Sequence, residues 1–478
     1  MAPAPWDSVP PEDTLFALVT GANSGIGFAI CERLIDEYLT TRSLTSHLIV
    51  IPTTRSVKKS QETIDALRKH AIEFANNSDI LKSRLGPNYD PRSVTKRIHI
   101  LSVQLDLCNL ADVHRAAEQL VSGTVSSLVS GNDALYFTSC VDVTIPRLDS
   151  VIFNAGMGGW TGLDWPKVFH NIFTKGLVQA TTWPTFKAAT AGHVVNPLPD
   201  APKDEQVPEM GQVFCANVFG HYLFAHKLVP LLSRSESGPD SHLPAGRIIW
   251  ESSIEPGWKN LSLSDFQAIK TNAAYESTKR LTDVLSLTAT LPSSRPFVNS
   301  YLEPATKPKS PTTPPRIYLV HPGIVQTTLF PLNAFMFFWY RVVLYIARWL
   351  GSPWHPITGY NGAVAPVWLA LQEQEALDAI KAERVKWGSS TDWWGECRVK
   401  KTEVEGWGWD GTVETRKELK NEKGEKGMGR KIVGRKSGAV DLTEEKRVEF
   451  EQLGVECWKE MERLRGEWEN RLGRVLKK

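Results

Sequence analysis

Tyr275 and Lys279, in Tyr275-Glu276-Ser277-Thr278-Lys279, have the spacing that puts a phenol and an ammonium on one helix face. A free tyrosine titrates near ~10 and is a poor acid–base group at neutral pH. A cation held beside it stabilises the phenolate and lowers that value, so the pair is a candidate proton-delivering couple. The same spacing also occurs on ordinary surface helices, so it needs support from elsewhere in the chain. Upstream, Ser252-Ser253 closes an apolar run, Gly246 to Glu251, and offers hydroxyls to a developing oxyanion.

A second constellation lies near the start, in Thr20-Gly21-Ala22-Asn23-Ser24-Gly25-Ile26-Gly27. Glycines here permit a tight turn and let backbone N–H groups approach a pyrophosphate at a helix N-terminus. The preceding apolar run, Leu15 to Thr20, predicts a strand, and Phe28 to Tyr38 predicts a helix, which is the context such a turn requires. The next strand, His47 to Ile51, runs into Thr53, Thr54 and Arg55, with Lys58 and Lys59 soon after and no acid. An acid there would suit the ribose of NAD; basic residues suit a 2′-phosphate. The reading is therefore NADPH, with Arg55 the better phosphate ligand because a guanidinium pairs with it bidentately.

The elements that must carry these groups alternate. Strands are predicted at 98–105, closing on Asp106, at 149–153, closing on Asn154-Ala155-Gly156, at 246–251 and at 317–321, before Pro322-Gly323. Helices are predicted between them, through Lys69 and Leu120, over 212–232 and over 275–291. This predicts an α/β fold, a Rossmann-type doubly wound parallel sheet, over 14–372. Residues 71–97 read as a polar loop, and 157–210 and 293–315 as insertions rich in Gly, Pro, Ser, Thr or Trp. Residues 373–478 read as a charged, Trp-rich extension ending in an amphipathic helix, with Leu453, Trp458, Met461, Leu464, Trp468, Leu472 and Val475 at helical spacing. Asp441 and Glu444 are the residues expected to cap it.

Bulk properties narrow the class. The chain has 478 residues, a net charge of +2 and 42% hydrophobic residues, which argues against a dedicated nucleic-acid binder. Its six cysteines form no C-x-x-C pair, so neither a disulfide framework nor a metal site is expected. The opening residues are Pro- and acid-rich and do not read as a signal peptide.

Taken in order, the Gly-rich turn, Asn154-Ala155-Gly156, Ser252-Ser253, Tyr275/Lys279 and Pro322-Gly323 resemble the short-chain dehydrogenase/reductase family, over about residues 14–330. The resemblance implies that Tyr275 protonates a carbonyl oxygen as hydride arrives. It implies that Lys279 depresses the tyrosine and binds the nicotinamide ribose, and that Ser253 bonds the substrate oxygen. Asn217, in Asn217-Val218-Phe219-Gly220, would hold a proton-relay water. Asp106 would contact adenine, Asn154 would line the cofactor cleft, and Val325 and Thr327 would meet the carboxamide. One departure is that 22 positions separate Ser253 from Tyr275, more than the family usually shows, which leaves Ser252 and Ser253 as alternatives.

Trp250-Glu251-Ser252-Ser253, then Ser262-Leu263-Ser264-Asp265-Phe266-Gln267, then Tyr275 to Arg280, resemble the 3-keto sterol reductases of fungal sterol C-4 demethylation. That resemblance implies reduction of a 3-keto sterol to the 3β-hydroxy sterol in ergosterol biosynthesis. It also implies partner enzymes of the C-4 demethylation complex, and a place on the cytosolic face of the endoplasmic reticulum membrane or on lipid droplets. Leu329 to Tyr340 is strongly apolar, but Arg341 and Arg348 interrupt the run short of the ~20 residues that span a bilayer. The segment 329–350 therefore reads either as an interfacial helix feeding sterol to the cleft, its two arginines on one face, or as a helix packed on the core. Two other functions stay open on sequence: reduction of another hydrophobic ketone or aldehyde, and a low-turnover NADPH-binding scaffold for sterol enzymes.

Overall fold

The computed structural model describes residues 3–202, 206–238, 240–304, 310–327, 333–413 and 434–476. Its strands are β1 (Thr14–Val19), β2 (His47–Thr54), β3 (Ile98–Ile100), β4 (Val103–Gln104), β5 (Ser150–Phe153), the hairpin pair β6 (Trp160–Leu163) and β7 (Lys187–Ala189), β8 (Arg247–Glu251), β9 (Arg316–His321), β10 (Lys386–Thr391) and β11 (Cys397–Thr402), besides shorter pairings. The main sheet has nine strands in the order β11-β10-β9-β8-β5-β1-β2-β3, with β4 also on β2. Every pairing in it is parallel except β10 with β11. β1, β5 and β8 are almost wholly buried with apolar centres, as strands covered on both faces must be. Chain order reverses between β1 and β5, which puts a crevice at the C-terminal ends of these two strands. The doubly wound α/β sheet is the one expected.

The principal helices are α1 (Gly25–Thr41), α2 (Val57–Asn77), α3 (Leu110–Val121), α4 (Gly220–Leu232), α5 (Ala274–Thr288), α6 (Ala334–Trp349), α7 (Val364–Leu371) and α8 (Glu444–Val475). Residues 71–97 are not the loop expected. α2 runs on to Asn77, and short helices follow at Asp79–Leu85 and Pro91–Thr95. Their polar composition belongs to an exposed face, while Ala71, Ala75, Leu81 and Val94 are buried against the sheet. The strand expected over 98–105 breaks at Leu101-Ser102 into β3 and β4, both on β2.

The division expected at residue 373 is crossed by the sheet. β10 adds in parallel to β9, and all six of its residues are buried. Its polar composition, Lys386-Trp387-Gly388-Ser389-Ser390-Thr391, disguised a core strand. α8 then lays Phe450, Cys457, Trp458, Met461, Leu464, Trp468 and Leu472 into the main core, and the Trp458 indole donates to Leu285 O at 3.2 Å on α5. Its start is capped by Thr443, whose hydroxyl accepts from Lys446 N, whereas Asp441 pairs with Arg435. The insertion 157–210 carries β6, helices Trp165–Lys175 and Leu177–Thr182, and β7. The excursion 293–315 includes helix Arg295–Leu302, and its residues 305–309 lie outside the described set.

No helix among the described residues is long and apolar enough to cross a membrane. The expected apolar segment forms α6 from Ala334; residues 329–332 lie outside the described set. Phe335, Phe338, Trp339, Trp349 and Leu350 are exposed on it, whereas Leu344 and Ala347 are buried. The two arginines are not equivalent as expected. Arg341 is exposed, but Arg348 is buried because the following loop folds back and its carbonyls of His355 and Pro356 accept from the guanidinium.

Candidate active site

The turn after β1 is built by exclusion. Gly21 has φ +65°, and a Cβ there would sit 2.8 Å from the Cβ of Ala155; at Gly27 it would sit 2.4 Å from Asn154 Nδ2. Gly25 has φ +60° but faces open space. Two glycines therefore draw the turn against β5, and the third leaves room outside it. α1 begins at Gly25 with Ser24 as N-cap, no side-chain cap and no acid in its first turn. Asn23, Ser24 and Gly25 are exposed, and Ile26 is half-buried. An uncapped, unobstructed helix N-terminus suits an anion such as a dinucleotide pyrophosphate.

At the end of β2, Thr53 is buried and its carbonyl accepts from Ala22 N at 3.1 Å. Arg55 follows as an exposed residue, Ser56 caps α2 through Lys59 N, and Lys59 is half-buried. Asp106 accepts from Cys108 N at 2.9 Å and so turns the chain beyond β4. Asn154 does more than line the cleft, because its amide donates to Thr20 O at 3.0 Å and ties β5 to β1. Val325 pairs with Ile357 as a parallel bridge, and Thr327 is half-buried at the end of that loop.

A buried relay joins this turn to the catalytic side. The Thr20 hydroxyl accepts from Asn154 N and Ala155 N and lies 2.9 Å from His221 Nε2. Burial holds His221 down at about 3, so it is neutral. With Nδ1 3.4 Å from Asn217 O, the consistent tautomer donates from Nδ1 and accepts the Thr20 proton at Nε2. Asn217 sits in a π-turn, Cys215–Phe219, preceding α4. Its amide is consumed within the protein: Oδ1 accepts from Met157 N at 2.8 Å, and Nδ2 donates to Met157 O and Thr278 Oγ1.

Tyr275 and Lys279 occupy the first turns of α5, and the Lys279 ammonium is 5.7 Å from the centre of the Tyr275 ring. Lys279 is buried and donates to Glu251 O at 2.6 Å at the end of β8. Burial lowers its pKa to about 8, against the opposing pull of Glu251. Burial likewise pushes Tyr275 well above its ordinary value, reinforced by Glu255 and opposed by a hydrogen bond with Ser253. The two serines separate cleanly. Ser253 faces the phenol, whereas Ser252 donates to Asp283 Oδ1 at 2.6 Å inside the core. Among the expected site residues, Tyr275, Lys279 and Ser253 are brought together where α5 meets the end of β8, and Asn154 and Asn217 are joined through Thr20 and His221; Arg55 and Lys59 follow β2, and Asp106 follows β4.

Four neighbours were not anticipated. The insertion hairpin sets Trp160 edge-on to Tyr275, with ring centres 4.7 Å apart, and places Lys187 5.0 Å from the same ring. Glu255, just beyond Ser253, contacts Lys187. From beyond residue 373, Lys386 donates to Ser253 O at 2.5 Å and pairs with Asp283 at 2.7 Å. Only Glu255 carried a local signal, through its place two residues after the serine pair.

The chain is 52% identical over 476 residues to a 3-keto-steroid reductase of Gibberella zeae, covering 99% of this chain and 98% of that one. It is 40% identical over 472 residues to one of Aspergillus fumigatus, covering 96% and 95%. The chain belongs to the 3-keto-steroid reductase family. A member from Saccharomyces cerevisiae is 30% identical over 391 residues, 81% of this chain and 89% of that one. The similarity to the first two relatives therefore extends through the region beyond 373 that carries β10. No family model matches the chain. As a member of this family it is an oxidoreductase.

Proposed function

We propose that this chain reduces a 3-keto sterol to the 3β-hydroxy sterol, with NADPH as reductant, during sterol C-4 demethylation in ergosterol biosynthesis. The carrying observation is Tyr275 one helical turn before the buried Lys279, whose ammonium lies 5.7 Å from its ring, with Ser253 among the groups acting on the phenol, in a chain 52% identical to a 3-keto-steroid reductase. The reduced nicotinamide supplies hydride to the ketone carbon when bound. The turn of Gly21, Asn23, Ser24, Gly25, Ile26 and Gly27 would hold its pyrophosphate, with Gly21 N–H donating to Thr53 Oγ1 and so fixing the turn against β2. Arg55, with Lys59 and Thr53 beside it, takes the 2′-phosphate, and the absence of an acid at the end of β2 disfavours NADH.

Tyr275 donates its proton to the ketone oxygen while Ser253 hydrogen-bonds that oxygen. Environments that push the phenol upward keep it protonated, the state a reductase needs before each turnover. Lys279 stabilises the phenolate left behind. Since the Asn217 amide is already satisfied, a relay water would be held by its carbonyl, next to His221.

An apolar cluster next to the catalytic centre suits a hydrophobic substrate. Ile254, Ile324, Leu344, Trp354 and Ile357 form a separate cluster, with Trp183 and Tyr340 packed on it. Tyr340 on α6 lies within electrostatic reach of Glu255, which brings this cluster to the catalytic centre. We further propose that the exposed aromatic face of α6 rests on the cytosolic surface of the endoplasmic reticulum membrane or of lipid droplets, among the other C-4 demethylation enzymes. NADPH oxidation by purified protein with a 3-keto sterol in detergent, wild type against Tyr275→Phe, tests the assignment. Turnover that survives Tyr275→Phe, or wild type that leaves the sterol unreduced, removes it.

A further inference from the structure

The insertion at 157–210 returns to the catalytic centre as the hairpin β6–β7, in which Trp160 pairs with Ala189 and Leu163 with Lys187. Gly158 permits this approach, because a Cβ there would lie 2.4 Å from the Trp160 ring. The Lys187 side chain is 5% exposed, its ammonium 4.1 Å from the Trp160 ring centre and 5.0 Å from that of Tyr275. It contacts Glu255 and lies 3.4 Å from Glu276, the residue next to Tyr275. A buried ammonium is costly to desolvate, and the structure keeps this one against the proton donor rather than letting it reach water.

We propose that Lys187 is a positioning residue for Tyr275, a second cation that braces the phenol from the insertion side and offsets the carboxylates around it. The proposal rests on Tyr275 being the proton donor. The charged and titratable groups around the phenol are Glu251 on β8, Glu255 beyond it, Glu276 and Lys279 on α5 and Lys187 on β7, with Tyr340 on α6 within electrostatic reach of Glu255. Glu255, Glu276 and Glu251 all favour the neutral phenol. Burial pushes Glu251 up to about 8, whereas Glu255 and Glu276 are the two acids that Lys187 pairs with directly, so Lys187 adds a second cation beside Lys279 where those acids lie. As the Tyr275 O–H bond breaks and the proton joins the ketone oxygen, the electron pair stays on the phenolate. Lys187 on β7 is placed, like Lys279 on α5, to stabilise that charge until water restores the proton.

Steady-state kinetics of Lys187→Met, Lys187→Arg and Lys187→Met/Glu255→Gln test this, measured with NADPH and a 3-keto sterol and in the reverse direction with NADP and the 3β-hydroxy sterol. Lys187→Met is expected to lower kcat about tenfold, one pKa unit's worth, with KM for NADPH unchanged. The rising limb of reverse oxidation should move to higher pH, because that direction needs the phenolate. Lys187→Arg keeps the charge and should recover most of the loss. The double variant removes the stranded carboxylate, so it should recover part of kcat and fold even if Lys187→Met does not. Wild-type kcat and pH profile in Lys187→Met overturn the proposal, as does a double variant with no recovery. Turnover by wild type in the same assay reports on the sterol reading separately from the variant-to-wild-type ratio, which reports on Lys187.

Discussion

Lys386 donates to the main-chain carbonyl of Ser253 at 2.5 Å from 133 positions further along the chain. The same ammonium pairs with Asp283, which also accepts from Ser252, so one buried ion pair holds both serines. Removing one partner of such a pair leaves an uncompensated buried charge, worth roughly 3–5 kcal/mol. Lys386→Met is therefore expected to lower the melting temperature by several degrees or more. Lys386→Met/Asp283→Leu should recover the stability, yet keep a reduced kcat, because the Ser253 carbonyl is no longer held. Thermal melts beside turnover assays check this; equal recovery of both would deny Lys386 any role at the site.

The two serines should fail differently. Ser252→Ala strands a buried Asp283 oxygen and should cost roughly 1–3 kcal/mol of stability with modest change in kcat. Ser253→Ala should leave stability nearly intact and lower kcat about a hundredfold, the size of effect seen when one oxyanion donor is lost. Unchanged turnover in Ser253→Ala would reject its contact with the ketone oxygen.

Cofactor choice rests on Arg55. Arg55→Asp should raise KM for NADPH at least tenfold while changing KM for NADH little, since only the former carries the 2′-phosphate. Equal effects on both nucleotides would place the phosphate elsewhere.

His70 links α2 to α1 through Asp36 at 2.8 Å and Glu32 at 3.4 Å. Burial alone would lower its pKa, but the Asp36 hydrogen bond and the charges of Asp36 and Glu32 raise it overall. A folded value above the unfolded one means that protonation favours the native state. This contribution is full below the unfolded value near ~6.5 and fades as pH rises through the folded one. His70→Gln should thus lose most stability, relative to wild type, at acidic pH, with the two denaturant midpoints converging as pH rises. A gap that widens with pH would contradict the sign.

The aromatic face of α6 supplies a membrane test. Replacing Phe335, Phe338 and Trp339 with Ser should weaken flotation with anionic phospholipid vesicles while leaving the melting temperature nearly unchanged, because these side chains are 72%, 59% and 51% exposed. Equal flotation of variant and wild type would assign α6 to the core alone.

Local spacing determined a large part of this protein. Gly21, Gly25 and Gly27 between an apolar run and a helix specify their turn within a few residues, and Tyr275 and Lys279 meet through the helical repeat alone. The strand-and-helix alternation likewise forecast the parallel sheet, since the burial pattern of β1, β2, β5, β8 and β9 is written within each strand. What sequence could not reveal depends on partners far along the chain. Lys386 reads as one more charge in a polar stretch until Asp283, 103 positions away, makes its burial tolerable. Lys187 sits in an insertion whose Gly, Pro and Trp content suggests a surface loop. Only the pairing of β7 with β6 directs it onto Tyr275, because the path of a hairpin is decided by what it packs against. The pair Tyr275 and Lys279 was legible because a helix makes it; the cations and acids around that pair were not, because only the folded chain brings them there.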